Sequence, residues 1–171
     1  MSERTDLVTF KGDSLTLLGT ELSTGDIAPD FTVTANDLSD VSLSSHKGKV
    51  CIISSVPSLD TPVCDTQTRK FNEQVEQLGG NVVVLTMSMD LPFAQARWCA
   101  AAGMDNVITL SDHKDASFGT AYGLLIKGLR LLARAVYIVD GNGVIKYQQI
   151  VPELTDEPDY QAALDTAKQL I

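Results

Sequence analysis

Val50-Cys51-Ile52-Ile53-Ser54-Ser55-Val56 is a mostly apolar run, and Pro57-Ser58-Leu59-Asp60-Thr61-Pro62-Val63-Cys64 follows it directly. The run reads as a strand covered on both faces, the centre of a sheet with parallel neighbours. The second stretch carries the chain off that strand and into a helix. Thr61 suits an N-cap and Pro62 the first helical position, so Cys64 falls in the first turn. Phe71, Val75 and Leu78, spaced i, i+4 and i+7, supply an apolar helix face, and Gly79-Gly80 ends it.

Working outward, Val82–Met87 reads as the next strand. Asp90 can cap a helix that carries Pro92 in its first turn and runs to about Ala102, where Gly103 stops it. Val107–Leu110 is a third buried strand and Asp115–Tyr122 a short helix. Ala135–Val139 and Val144–Ile150 are strands joined at Asp140-Gly141-Asn142-Gly143, and a closing helix has the stripe Tyr160, Ala163, Leu164, Ala167, Ile171. Upstream, Phe31–Ala35 and Val41–Leu43 are short strands, and Leu7–Leu18 forms a hairpin around Lys11-Gly12-Asp13 that can lie as a lid on the main sheet. Strand-helix alternation followed by a hairpin and a helix predicts an α/β chain of thioredoxin-like arrangement. A central mixed β-sheet is flanked by helices, with an N-terminal β-hairpin.

The 171 residues, 44% hydrophobic and 20% charged, suit one domain over 1–171, large enough to bury roughly 70% of the surface its unfolded form exposes. No linker, repeat or low-complexity block divides it. Thirteen Lys and Arg against 22 Asp and Glu give a net charge of −9, a field that repels phosphate backbones and argues against nucleic acid as a partner. No apolar stretch reaches the roughly 18 residues of a membrane span, and the opening Met-Ser-Glu-Arg-Thr-Asp is polar with no signal-peptide core behind it. The expectation is a cytoplasmic protein with no membrane partner.

Three cysteines, an odd number in a chain with its own core, do not make a secreted disulfide framework. Cys64, among the unpaired N–H groups at a helix start and at the positive end of the helix dipole, is placed to be stabilised as a thiolate nucleophile. Cys51, flanked by Val50 and Ile52 in the central strand, is core. A thioredoxin-type shuttle needs a second thiol three positions after Cys64, where Gln67 stands. The spacings of the cysteines, with His46 and His113 isolated in polar loops and read as solvated, do not make a metal site.

The pattern P-x-x-x-T-x-x-C formed by Pro57, Thr61 and Cys64 resembles the active-site signature of peroxiredoxins, and Asp60-Thr61-Pro62-Val63-Cys64 resembles their thiol peroxidase subfamily. Arg69-Lys70-Phe71-Asn72, Leu91-Pro92-Phe93-Ala94-Gln95, Asn106–Ser111, Leu132-Ala133-Arg134-Ala135-Val136 and Glu157-Pro158-Asp159-Tyr160 are also similar to that subfamily, so the resemblance covers nearly the whole chain. It implies an antioxidant peroxidase acting on hydrogen peroxide and organic hydroperoxides without metal, flavin or haem. Cys64 would be the peroxidatic sulfur, passing through a sulfenic acid. Thr61 and Arg134 would orient and polarise the peroxide, and Pro57 would shield the sulfur. Cys99 would resolve the sulfenic acid as an intramolecular disulfide with Cys64, recycled by thioredoxin, and the subfamily forms homodimers. Forming that bond requires the first turn of the Cys64 helix and the helix bearing Cys99 to unwind in part.

The same two thiols would also serve a redox sensor, which turnover distinguishes from an enzyme. The chain departs from the subfamily over Gly123–Leu131, which reads as a shortened, unusually apolar, exposed loop suited to contact with a partner.

Overall fold

The computed structural model describes all residues, Met1–Ile171. In chain order the strands are β1 (Glu3–Phe10), β2 (Asp13–Leu18), β3 (Thr32–Thr34), β4 (Asp40–Ser42), β5 (Val50–Ser55), β6 (Val82–Ser88), β7 (Val107–Ser111), β8 (Leu125–Ile126), β9 (Ala135–Val139) and β10 (Ile145–Ile150). The helices are α1 (Pro62–Val75), α2 (Pro92–Ala102), α3 (Ser117–Ala121) and α4 (Tyr160–Lys168), with a 3-10 turn at Leu43–His46.

Seven strands form one sheet in the order β10-β9-β5-β6-β7-β3-β4. β5, β6 and β7 are parallel at its centre, β9 and β10 extend it antiparallel on one side, and β3 and β4 do so on the other. Every residue of β5 is buried, as its apolar run requires of a strand covered on both faces. Alternate residues divide the core in two. Ile52, Val84, Val107, Val136 and Ile138 pack on Phe71 and Val75 of α1 and on Ala163, Leu164 and Ala167 of α4. Cys51, Ile53, Leu85, Met87, Leu110 and Tyr137 face the opposite way, onto Phe31, Phe118, Tyr122 and the N-terminal segment. This is the thioredoxin-like arrangement that the alternation of elements predicts.

The hairpin is present and longer than its sequence signal. β1 and β2 meet through the two-residue turn Lys11-Gly12, whose φ angles of 51° and 88° are those of a type I′ turn. β8 adds a third strand beside β2, with Leu17 and Leu18 opposite Ile126 and Leu125. Here the expected exposed loop over Gly123–Leu131 is corrected, because Leu124, Leu125 and Ile126 are buried and only Leu129 among its apolar residues is exposed. Pairing with β2 gives these side chains a covered face, which a strand of two residues is too short to announce by alternation.

Asp90 is not the cap of α2. Leu91 occupies the N-cap in extended conformation before Pro92, and Asp90 turns its carboxylate to the loop after β5. α3 is shorter than expected, and α4 ends at Lys168, leaving Ile171 exposed beyond it. The histidines are not simply solvated. His46 is half-buried with Nε2 shielded and unpartnered, and His113 meets Ser111 Oγ at 2.8 Å. No helix is long and apolar enough to cross a membrane.

Candidate active site

The carboxyl ends of β5 and β6 open onto the start of α1, where an open α/β sheet presents its crevice. Thr61 is the N-cap residue of α1, Pro62 follows as the first helical residue, and Cys64 is the third. Cys64 is fully buried in a small apolar cluster with Val56, Leu59 and Trp98. Its sulfur is nevertheless surrounded by donors. Thr61 Oγ1 lies 2.6 Å from Cys64 Sγ and 2.9 Å from the Ser58 carbonyl oxygen, and its single proton can go to one or the other. Thr61 therefore occupies the cap position without capping, since its side chain makes no bond to the helix amides. The N–H groups of Val63 and Cys64 are left with no acceptor in the protein.

Arg134 is the second side chain that donates to the sulfur. It immediately precedes β9 and is 2% exposed. Its Nη2 donates to Cys64 Sγ at 3.4 Å and to the Leu154 carbonyl at 2.7 Å, Nε donates to that same carbonyl at 3.0 Å, and Nη1 donates to Gln67 Oε1 at 3.0 Å. Gln67 is itself fixed, as its Nε2 donates to Ser54 Oγ at 2.8 Å. No carboxylate bonds to the guanidinium. The nearby Glu157 is engaged by Lys70 at 3.0 Å and by the Tyr160 hydroxyl at 2.8 Å, and those two bonds hold its carboxyl below the usual range. A buried guanidinium with only neutral oxygens around it lacks a countercharge. The one neighbour able to carry a full negative charge within hydrogen-bond reach is Cys64 Sγ.

A cavity of about 310 Å³ lies over this group. Thr61 and Arg134, the two side chains bonded to Cys64 Sγ, line it with Pro57, Ser58, Pro62 and Val63, and Phe10, Leu129 and Leu131 add apolar lining. Pro57, Thr61, Cys64 and Arg134 are thus assembled at one place.

Cys99 is not. Its sulfur lies 3.3 Å from Thr109 Oγ1 and lines a separate opening with Asn36, Met104 and Ile108. The residue before it, Trp98, packs against Cys64 instead and donates from Nε1 to Asp65 Oδ1 at 3.0 Å. All three cysteines are free thiols. Cys51 is buried on the other face of the sheet, where desolvation pushes its thiol up to about 11.

Several residues of this neighbourhood escape a reading of the sequence. Gln67 carries a weak signal, a polar side chain three residues after Cys64 and thus on the same, buried face of α1. Asp90 gives a misleading one. Its Oδ1 accepts from Ser58 Oγ at 2.7 Å, and its Oδ2 accepts from the Leu59 N–H at 2.8 Å and from Ser88 Oγ at 2.7 Å, tying the start of α2 to the loop before Cys64. The Leu154 carbonyl and the Asp65–Trp98 bond have no local signature at all.

The redoxin family model matches residues 23–164. A thiol peroxidase of Halalkalibacterium halodurans is 59% identical over 161 residues, spanning 94% of this chain and 96% of its own. The thiol peroxidase of Bacillus subtilis is 56% identical over 164 residues, spanning 96% and 98%. Among solved structures, a peroxiredoxin-like protein from Aquifex aeolicus superposes with a TM-score of 0.88 at 44% identity over 98% of both chains. A thiol peroxidase from Chromobacterium violaceum shares the fold, with a TM-score of 0.85 at 21% identity over 95% of each chain. With a matching family model over most of the chain and close relatives over nearly all of it, the chain belongs to the redoxin family, as one of its thiol peroxidases, an enzyme of the peroxiredoxin type.

Proposed function

We propose that residues 1–171 act as one folded unit in the cytoplasm and reduce hydrogen peroxide and organic hydroperoxides through Cys64, with Cys99 resolving and thioredoxin as the reductant. The observation that carries this reading is the placing of Cys64 Sγ in the first turn of α1, with both Thr61 Oγ1 at 2.6 Å and Arg134 Nη2 at 3.4 Å. Both donors, the helix dipole and the unbalanced charge of Arg134 favour an anion on that sulfur. In the thiolate state the Thr61 proton points to Sγ. When a peroxide enters, the same hydroxyl and the guanidinium face its oxygens.

The thiolate attacks one peroxide oxygen, the S–O bond forms as the O–O bond breaks, and the electron pair leaves on the second oxygen. That oxygen takes a proton and departs as water or an alcohol, leaving Cys64 as a sulfenic acid. As negative charge passes from sulfur to the leaving oxygen, Arg134 can follow it without moving far. The burial of Arg134 keeps water from screening the interaction. Cys99 thiolate then displaces hydroxide, released as water, and a Cys64–Cys99 disulfide forms. The dithiol of reduced thioredoxin restores both thiols by exchange and is itself left as a disulfide. The apolar lining that Phe10, Leu129 and Leu131 give the cavity suits the organic part of a hydroperoxide. The exposed side chains of Leu91 and Phe93 at the start of α2 suit a homodimer contact.

Resolution requires movement, because Cys99 faces Thr109 and Trp98 lies against Cys64. The Asp90 bonds to Ser58 and Leu59 and the Asp65–Trp98 bond have to open for the sulfurs to meet. Amide exchange is therefore expected to speed up in residues 58–66 and 90–102 on oxidation. Unchanged protection in both segments would exclude such opening. In a coupled assay with thioredoxin, thioredoxin reductase and hydrogen peroxide, the wild type is expected to turn over many equivalents, and Cys99→Ser to consume one and stall. A single equivalent consumed by the wild type would indicate a sensor, and sustained turnover by Cys99→Ser would remove the resolving role.

A further inference from the structure

Glu153 lies outside the group around Cys64, yet it is the most heavily hydrogen-bonded carboxylate near the cavity. Its Oε1 accepts from the Lys11 N–H at 2.8 Å, the Thr155 N–H at 3.3 Å and Thr155 Oγ1 at 2.9 Å. Its Oε2 accepts from Thr9 Oγ1 at 2.5 Å and from the Gly12 N–H at 3.2 Å. Two backbone bonds run alongside, from Thr9 N–H to the Pro152 carbonyl at 2.7 Å and from Leu154 N–H to the Thr9 carbonyl at 2.9 Å. The carboxylate therefore grips both amides of the Lys11-Gly12 turn.

That turn is part of the cavity. Phe10 and Lys11 line it together with Leu129 and Leu131, and so do Thr61 and Arg134, which bond to Cys64 Sγ. Lys11 is in the left-handed region, which a lysine seldom adopts, and the carboxylate bonds to its N–H and to that of Gly12. Hydrogen peroxide needs only the donors beside Cys64 Sγ. A hydroperoxide with a bulky organic group must also rest on the apolar lining that Phe10, Leu129 and Leu131 supply.

We propose that Glu153 is a positioning residue for substrate choice: by clamping the Lys11-Gly12 turn it holds Phe10 in place as the wall against which the organic group of a hydroperoxide packs. This rests on the reading of Cys64 as the peroxidatic sulfur. The donors around Glu153, the Thr9 hydroxyl first and the Lys11 amide next, hold its carboxyl down at about 2, so the clamp is an acceptor throughout the neutral range. A glutamine at this position would turn an NH2 group toward N–H donors, opposing donor to donor on one side of the grip.

The test is a stopped-flow measurement of Cys64 oxidation, followed by the fluorescence of Trp98, the chain's one tryptophan, which packs on Cys64. Hydrogen peroxide and cumene hydroperoxide are compared. In Glu153→Gln the ratio of the cumene hydroperoxide rate constant to that for hydrogen peroxide is expected to fall about tenfold, the lower end of what a lost apolar contact costs in specificity. Phe10→Ala, at a position 43% exposed, is expected to lower the cumene hydroperoxide rate by a similar factor, and the double variant to fall no further. An unchanged ratio in Glu153→Gln overturns the proposal, as does full additivity in the double variant. Should Glu153→Gln fail to fold, an undiminished cumene hydroperoxide rate in Phe10→Ala overturns it alone. Failure of the underlying reading looks different, since the wild type would then show no oxidation of Cys64 by either peroxide.

Discussion

Replacing Cys64 by serine is expected to abolish peroxidase activity, lowering kcat/KM for every hydroperoxide by at least about 10³-fold, as deletion of a catalytic nucleophile does elsewhere. The hydroxyl is close in size to the thiol, and the Thr61, Arg134 and Trp98 neighbours need not shift to receive it. Folding should therefore survive, and the variant should unfold near the wild-type temperature. What changes is chemical. A serine hydroxyl is not ionised in reach of these donors, and oxygen does not attack a peroxide as sulfur does. Cys51→Ser is the matching control. Its thiol is pushed up to about 11 by burial on the opposite face of the sheet, so its loss should alter stability more than rate. Steady-state assays with thioredoxin and its reductase read both. Residual turnover by Cys64→Ser within tenfold of wild type would place the chemistry elsewhere.

The second large effect concerns Arg134. Truncation to alanine removes the only cation bonded to Cys64 Sγ and leaves the Leu154 carbonyl and Gln67 Oε1 without their donors in a buried place. Loss of one preorganised donor to developing charge typically costs about 10²–10³ in rate, and each buried acceptor left unpaired costs about 1–3 kcal/mol of stability. Arg134→Ala should therefore be slow in Cys64 oxidation and lower in Tm together. Arg134→Lys separates the two contributions. Its ammonium keeps the charge, but a single nitrogen cannot span the Leu154 carbonyl, Gln67 and the sulfur at once, as the planar fork does. An intermediate rate is expected, with most of the stability loss remaining. Stopped-flow oxidation and thermal unfolding of both variants decide it. A folded Arg134→Ala with a wild-type oxidation rate would reduce the arginine to a structural residue.

The parts of this molecule that could be read from its sequence are those governed by local rules. The Val50–Val56 run announces a central strand because burial on both faces leaves no room for alternation. Thr61 and Pro62 place Cys64 in a first helical turn because cap and first-turn positions have strong residue preferences. The Lys11-Gly12 turn is legible because short alternating apolar stretches flank a glycine, which takes a positive φ at no steric cost. What escaped is set by contacts between segments far apart in the chain. The burial of Leu124–Ile126 depends on β2, more than a hundred residues earlier. Asp90 carries the residue type of a helix cap, but donors on the Ser58–Leu59 loop compete for its carboxylate and win. Gln67 and Glu153 look like ordinary polar residues until the fold brings Arg134 to one and the hairpin turn to the other.

The identity of the attacking sulfur is most directly measured by trapping its oxidised form. Cys99→Ser, which lacks the thiol proposed to resolve, is mixed with one equivalent of hydrogen peroxide in the presence of a cyclic diketone that captures sulfenic acids, and the adduct is located by peptide mass spectrometry. One adduct per chain, on Cys64 and formed far more slowly when Thr61 and Arg134 are also replaced, is the expected result. Adduct on Cys51, or none on a chain that has consumed its peroxide, would contradict the account.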